Sequence, residues 1–434
     1  MDKLKTLFKL EVKPLTLIRH YIILLGGGCI LLALVYCIPE ERIRRHIEIS
    51  SDFIVEEGNY PYMGVESGGF ILDNYTEALL LMFNYTADNA KPIYNAFVAQ
   101  EYCKQGTEGV DLFQEMLLDS EWEQAIAGKR SSNWLGMNIV LRPLLFMFDF
   151  SQCRVILNVI SYLALFVTMV LMARKCGGGY LAIGFGFTLM AFNYYSLSLS
   201  FSLGVFCVII ACAAICFMLI RGLSKVNLLQ VMFVVGIATA YFDWLSIPLI
   251  TWGLPILVVL AMMYSQNNNT LFVEYFNKAF QGGFGWSLGY AGMIIGKCMV
   301  AVLVQGKGAI SFFLNRVTAD TKIRSAQDFG MSIRRLFNCF FPFNLRPGNN
   351  VYFVLLLLAA AMLVVTVLLV NRERRRLAAV VIMVGLSPFL YYVYVGGHVH
   401  HTGIEFRSLM ISFFAIWIVM QPFYDIIHRR IKKL

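Results

Sequence analysis

The feature that most limits this chain is the recurrence of apolar blocks of about 17 to 24 residues. At 1.5 Å per helical residue, each is long enough to cross a hydrocarbon layer of roughly 30 Å. Hydrophobic residues fill 58% of its 434 positions and charged residues only 15%. An ordinary globular chain carries roughly 45–50% and 25%. A soluble protein of this length could not hide so much apolar surface. A soluble enzyme, a disordered scaffold and a nucleic-acid-binding domain are therefore excluded, and the chain reads as an all-α polytopic membrane helical bundle.

Hydropathy places about ten spans, near 18–38, 153–173, 178–196, 199–220, 227–245, 247–264, 286–305, 351–370, 377–395 and 406–424. The first run is too long for a signal-peptide core and ends in Pro39-Glu40-Glu41 rather than a small-residue cleavage site, so it reads as a retained helix. An even number of spans puts both termini on one side. With that side cytoplasmic, the short loops carrying Arg174, Lys175, Arg221, Lys225 and the Arg372/Arg374/Arg375/Arg376 cluster obey the positive-inside rule, as do both basic tails. The net charge of +9, from 36 Lys and Arg against 27 Asp and Glu, thus reports topology first. The ten cysteines are scattered, mostly within apolar runs and never as CxxC, and read as small core residues.

This topology divides the chain into residues 1–38, a cytoplasmic tail and first span; 39–152, an extracytoplasmic cap loop; and 153–434, the remaining bundle with a second outer loop at 306–350. The cap is too long for a connector and shows helical patterning at Asp73 to Met82 and at Leu112 to Ile126. The cytoplasmic stretch from Ser265 to Phe284 reads as an interfacial helix with a Phe272, Val273, Tyr275, Phe276 and Phe280 stripe.

Several constellations can carry chemistry. If Leu72-Asp73-Asn74-Tyr75-Thr76-Glu77 is helical, Asp73 and Glu77 lie one turn apart and share a face. A carboxylate at a dry boundary can take the proton of an alcohol, which is otherwise a poor nucleophile; the plainer reading is a solvated helix cap. Asp52, Glu56 and Glu57 compete for the same role. Asp243 sits at the outer end of a span, and Lys297 interrupts another within Gly289 to Val304. Ionisable groups at such depth are site candidates; the structural alternative for Asp243 is pairing with Lys297 or an Arg, and for Lys297, read as facing a polar cavity, it is snorkelling.

The second outer segment holds Lys307, Arg316, Lys322, Arg324, Arg334, Arg335 and Arg346 against Asp320 and Asp328. Such an excess suits an anionic ligand or acidic headgroups. The hairpin His398-Val399-His400-His401-Thr402-Gly403-Ile404-Glu405-Phe406-Arg407 gathers half of the histidines. His398, His400 and His401 with Glu405 could ligate a divalent metal, but their spacing matches no strong metal motif. Phosphate binding by His398, His400, His401 and Arg407, joined by Arg142 and Lys297, is the reading preferred, with a packed polar loop as the alternative.

One N-terminal span, a large acidic outer loop and a further bundle together resemble the GT-C superfamily of membrane glycosyltransferases. More narrowly, the Leu72 to Glu77, Leu141 to Leu145, Asp243 to Pro255, Leu288 to Lys297 and His398 to Arg407 stretches are similar to a poorly characterised bacterial group near it. The resemblance implies a polyprenyl-phosphate sugar donor, inversion at the anomeric carbon and a catalytic acid residue in the first outer loop. That role falls on Asp73, with Asp52 or Glu77 in reserve and Asp243 in support. Neither an adjacent Asp-Glu pair of protein mannosyltransferases nor a Trp-Trp-Asp signature of oligosaccharyltransferases occurs in the matching position.

The expected activity is therefore transfer of a sugar to an extracytoplasmic glycan or glycolipid acceptor at the outer face of a bacterial cytoplasmic membrane. The partners would be the donor, the acceptor and the lipid bilayer, with no nucleic acid. The alternatives are a transporter or flippase of lipid-linked sugars, which should show repeat symmetry that the sequence lacks, and a non-catalytic membrane partner of an envelope assembly complex.

Overall fold

The computed structural model describes residues 12–63, 71–176, 178–244, 246–267, 269–311, 313–314, 371–395 and 406–431. The described chain is mostly helical. By length and composition, three helices can cross a membrane: α1 (Pro14–Val35), α7 (Phe150–Lys175) and α13 (Phe272–Gln305). Shorter apolar helices accompany them. The expected span at 351–370 and most of the basic 306–350 segment lie outside the described residues.

Helix α1 begins with Pro14, whose missing N–H costs nothing in a first turn. Leu15, Ile18, Ile22, Ile23 and Ile30 remain exposed on it. A helix that leaves so many branched aliphatics uncovered is suited to a lipid environment rather than water. Helix α7 is capped by the Asp149 carboxylate, which accepts from Gln152 N at 2.9 Å. It exposes a comparable stripe at Val155, Val159, Leu163 and Phe166, positions that recur on one helical face.

Between these two helices fold α2 (Glu40–Glu57), α3 (Asn74–Tyr85), α4 (Pro92–Phe97), β1 (Ala99–Tyr102), α5 (Gly109–Leu118), β2 (Ile126–Arg130) and α6 (Asn138–Met147). The α2 pattern Ile43, Ile47, Ser50 and Ile54 is buried at helical spacing, turning its apolar face onto α3 and α6. The small antiparallel pair departs from an all-helical expectation: Ala99 faces Arg130, and Tyr102 faces Ile126. The helix expected from Leu112 to Ile126 ends at Leu118, after which the chain turns and enters β2.

After α7 come α8 (Gly179–Ala191), α9 (Tyr194–Ser198), α10 (Val205–Arg221), α11 (Leu228–Phe242) and α12 (Ile250–Gln266). The chain then passes through α13, and the later described helices are α14 (Arg372–Gly385), α15 (Ser387–Val395) and α16 (Met410–Ile431). The expected 178–196 span is broken at Asn193, which takes a left-handed conformation with φ 55°. The expected 199–220 span starts only at Val205, because residues 199–204 are not helical and Gly204 sits at φ +85°. The separate interfacial helix read at 265–284 is instead the first part of α13, a single helix of 34 residues.

Candidate functional site

Asp73 is the N-cap of α3. Its carboxylate accepts from Thr76 N at 3.1 Å and from Thr76 Oγ1 at 2.5 Å. Capping turns the Asp73 side chain back on its own first turn, so the shared face expected for Asp73 and Glu77 does not form. Nor is the cap solvated, since Asp73 is 4% exposed. Burial pushes its carboxyl above the usual carboxylate range, while the Thr76 bonds and the charge of Arg407 pull partly back. A carboxylate so treated is a stronger base than a surface aspartate.

Arg407 reaches this place from the far end of the chain. It lies in a 3-10 turn, Phe406–Leu409, immediately before α16, and is fully buried. One guanidinium nitrogen donates to the carbonyl oxygen of Ile71 at 3.4 Å, across 336 positions of sequence. The turn is seated by Phe406, which stacks on Phe192 at 5.6 Å between ring centres. Near Asp73, Tyr60 and Tyr75 lie parallel, with ring centres 6.2 Å apart. Burial pushes the Tyr60 phenol up to about 12, and the neighbouring Asp73 adds to the effect.

Glu77 points into the interior instead and is fully buried. One carboxylate oxygen accepts from Ser202 N at 2.7 Å, from the Ser202 hydroxyl at 2.6 Å and from the Ser200 hydroxyl. The other oxygen has no hydrogen-bond partner among the described residues. Burial pushes its pKa up, against the downward pull of Arg154 and the serine bonds. Beside it, Arg154 pairs with Glu57 at 2.9 Å and donates to Asn74 Oδ1 at 2.6 Å, while Asn74 Nδ2 donates to Glu57 at 2.8 Å. This closed trio ties together α2, α3 and α7, and it accounts for Glu57. Asp52 is exposed on α2.

Asp243 is 6% exposed and closes the turn after α11, accepting from Ser246 N at 3.2 Å and from the Ser246 hydroxyl. Ser246 also lies against Gly204, so the Asp243 turn and Glu77 flank the same 199–204 connection. The structure therefore brings Asp73, Glu77 and Arg407 around the start of α3 and sets Asp243 across that connection.

Lys297 and Arg142 sit elsewhere. Lys297 Nζ donates to Phe97 O at 2.8 Å and lies 5.2 Å from the Trp134 ring centre. Arg142 is fully buried, with its guanidinium 4.3 Å over the Tyr36 ring; it donates to Val35 O at 3.1 Å and to Asn84 Oδ1 at 3.3 Å. Both cations fasten the α2–α6 unit to helices α13 and α1 through backbone carbonyls. His398, His400 and His401 lie outside the described residues. Among the described residues, no group of three or more His, Cys, Asp or Glu is placed to hold a metal ion.

Sequence reasoning missed Arg154, Ser200 and Ser202. The signals were an arginine inside an apolar block, and the alternation Ser196-Leu197-Ser198-Leu199-Ser200-Phe201-Ser202, which has the wrong period for a lipid-facing helix. No protein family matches the chain, nor does any curated protein or solved structure.

Proposed function

We propose that this protein is a multi-pass membrane glycosyltransferase of the GT-C kind, with about ten spans and both termini in the cytoplasm. It moves a sugar from a polyprenyl-phosphate donor to an extracytoplasmic glycan or glycolipid acceptor. The observation that carries the reading is Asp73, a buried carboxylate of raised pKa that meets the charge of Arg407 from the opposite end of the chain. Asp73 takes the proton of the acceptor hydroxyl as its oxygen attacks the anomeric carbon. The bond from that carbon to the phosphate oxygen breaks with inversion, and Arg407 stabilises the negative charge of the departing polyprenyl phosphate. The Tyr60 and Tyr75 rings, the first of them 46% exposed, offer an aromatic face on which a sugar ring can lie.

The test is Asp73→Asn, assayed for transfer from a polyprenyl-phosphate sugar. Asparagine caps a helix as well as aspartate does, so the fold is retained while the base is removed. Transfer should fall by roughly 10²–10⁴-fold. Full activity in this variant would remove Asp73 from the chemistry and favour a non-catalytic membrane partner in which the residue serves only as a cap.

A further inference from the structure

A second site lies away from Asp73, among α12, α13 and α14. Trp252, Phe276, Phe280, Phe284, Val380 and Met383 line an apolar groove of about 410 Å³. Three of the phenylalanines form a ladder, with Phe276 and Phe280 at 6.4 Å and Phe280 and Phe284 at 6.1 Å between ring centres. Gly283 leaves room beneath the Trp252 indole, since a methyl group there would stand 3.2 Å from its nitrogen. Phe284 and Met383 stay exposed, so the groove opens sideways. On α13 it runs from Phe276 to Ser287, a rise of about 16 Å, close to the depth of one leaflet of a bilayer with a ~30 Å core.

One end of this groove is cationic. Arg374 donates to the Tyr264 hydroxyl at 3.0 Å, and the charges of Glu274 and Arg376 both act on Tyr275, so α14 begins beside the end of α12 and the start of α13, where Glu274 offsets part of the positive charge. Arg376 precedes Val380 by one turn and lies on the same helical stripe as Met383. Arg372 and Arg375 are exposed beside it, with Glu373 the one acid in that turn. An apolar slot of leaflet depth whose α14 wall begins with an arginine-rich turn complements an anionic lipid in both shape and charge.

We infer that this groove holds an acyl chain of an anionic bilayer phospholipid, with its phosphate against Arg372, Arg375 and Arg376. The inference rests on the helices crossing a bilayer and is independent of sugar transfer. It is tested on the full-length protein in detergent, by native mass spectrometry during titration with phosphatidylglycerol and with phosphatidylcholine of identical chains. The wild type should retain phosphatidylglycerol at least about tenfold more tightly, and the combined Arg372→Gln, Arg375→Gln and Arg376→Gln variant should lose that preference. Met383→Trp, at an exposed position, should fill the slot and weaken both lipids. Phosphatidylglycerol with brominated chains should quench a component of the fluorescence that is missing from Trp252→Phe. Equal retention of the two lipids by the wild type, or binding indifferent to both the arginine and the Met383 variants, would overturn the inference. So would quantitative disulfide formation between Met383→Cys and a cysteine placed in residues 351–370, because the chain itself would then fill the groove.

Discussion

Arg407 donates to the carbonyl oxygen of Ile71 two residues before Asp73, so the last described helix is anchored at the place where the α3 acid is held. Its charge also pulls the Asp73 pKa down against the larger upward push of burial. If Asp73 is the base of the proposed transfer, it works only when deprotonated, and transfer should increase with pH through its titration. Arg407→Gln removes a cation that favours the charged form, and the acid limb should move to higher pH as maximal activity drops. Arg407→Lys should bring the limb part of the way back. A pH–rate profile on the three proteins checks this, and an unmoved limb would separate Arg407 from the base.

Glu77 gives a stability prediction of definite sign. Its folded pKa lies above the usual glutamate range, so the native state binds the proton more tightly than the unfolded chain does. Stability from this group is therefore greatest at acidic pH and falls as pH rises toward the folded value. Glu77→Gln keeps an oxygen to accept from Ser200 and Ser202 and has no charge to bury. A neutral amide also costs less than a charged carboxylate to leave partly unmatched. The variant should melt above the wild type at pH 8, by an amount on the order of 1 kcal/mol, and the gap should close at acidic pH. A constant gap in melting profiles would mean that Glu77 does not titrate on unfolding.

Asp73, Glu77, Asp243 and Arg407 stand out in the sequence because ionisable side chains near apolar blocks are expensive. Their grouping is a non-local fact that no local pattern carries. Burial of a cation implies that it has partners but does not name them: Arg142 and Lys297 meet backbone carbonyls of Val35 and Phe97, and carbonyls have no sequence signature. The 199–204 connection was hidden for a related reason. Its residues are apolar enough to pass as helix, while the bonds that draw it out of the helix come from Glu77, 125 positions away for Ser202.

Arg142 should behave as a structural fastener. Arg142→Ala deprives Val35 O and Asn84 of their donors inside a buried network that also joins Asn138 to Tyr36 at 2.7 Å. The expected cost is about 2–4 kcal/mol. Lysine cannot reproduce the fork and should rescue little. Thermal unfolding of purified protein reads the loss, and the KM for donor should be unchanged in the folded fraction. A raised KM at unchanged stability would return Arg142 to the donor site.

A close backbone approach between α11 and α13 supplies the last test. Gly285 and Gly289 are four residues apart on α13, and a side chain at either would strike a backbone carbonyl of α11, that of Leu229 or of Phe233. Gly236 on α11 reciprocates against Trp286. Small residues at this spacing let helix backbones touch, which matters most where lipid supplies no hydrophobic drive between helices. Gly289→Val should force α11 and α13 apart at a cost of about 1–3 kcal/mol, with Gly289→Ala intermediate. Gly26→Ala on α1, where nothing lies within 4 Å of the added methyl, should be neutral or slightly stabilising through helix propensity. Melting temperatures of the three variants measured side by side decide the matter. A Gly289→Val protein as stable as Gly26→Ala would mean that the α11–α13 contact is looser than its backbone geometry requires.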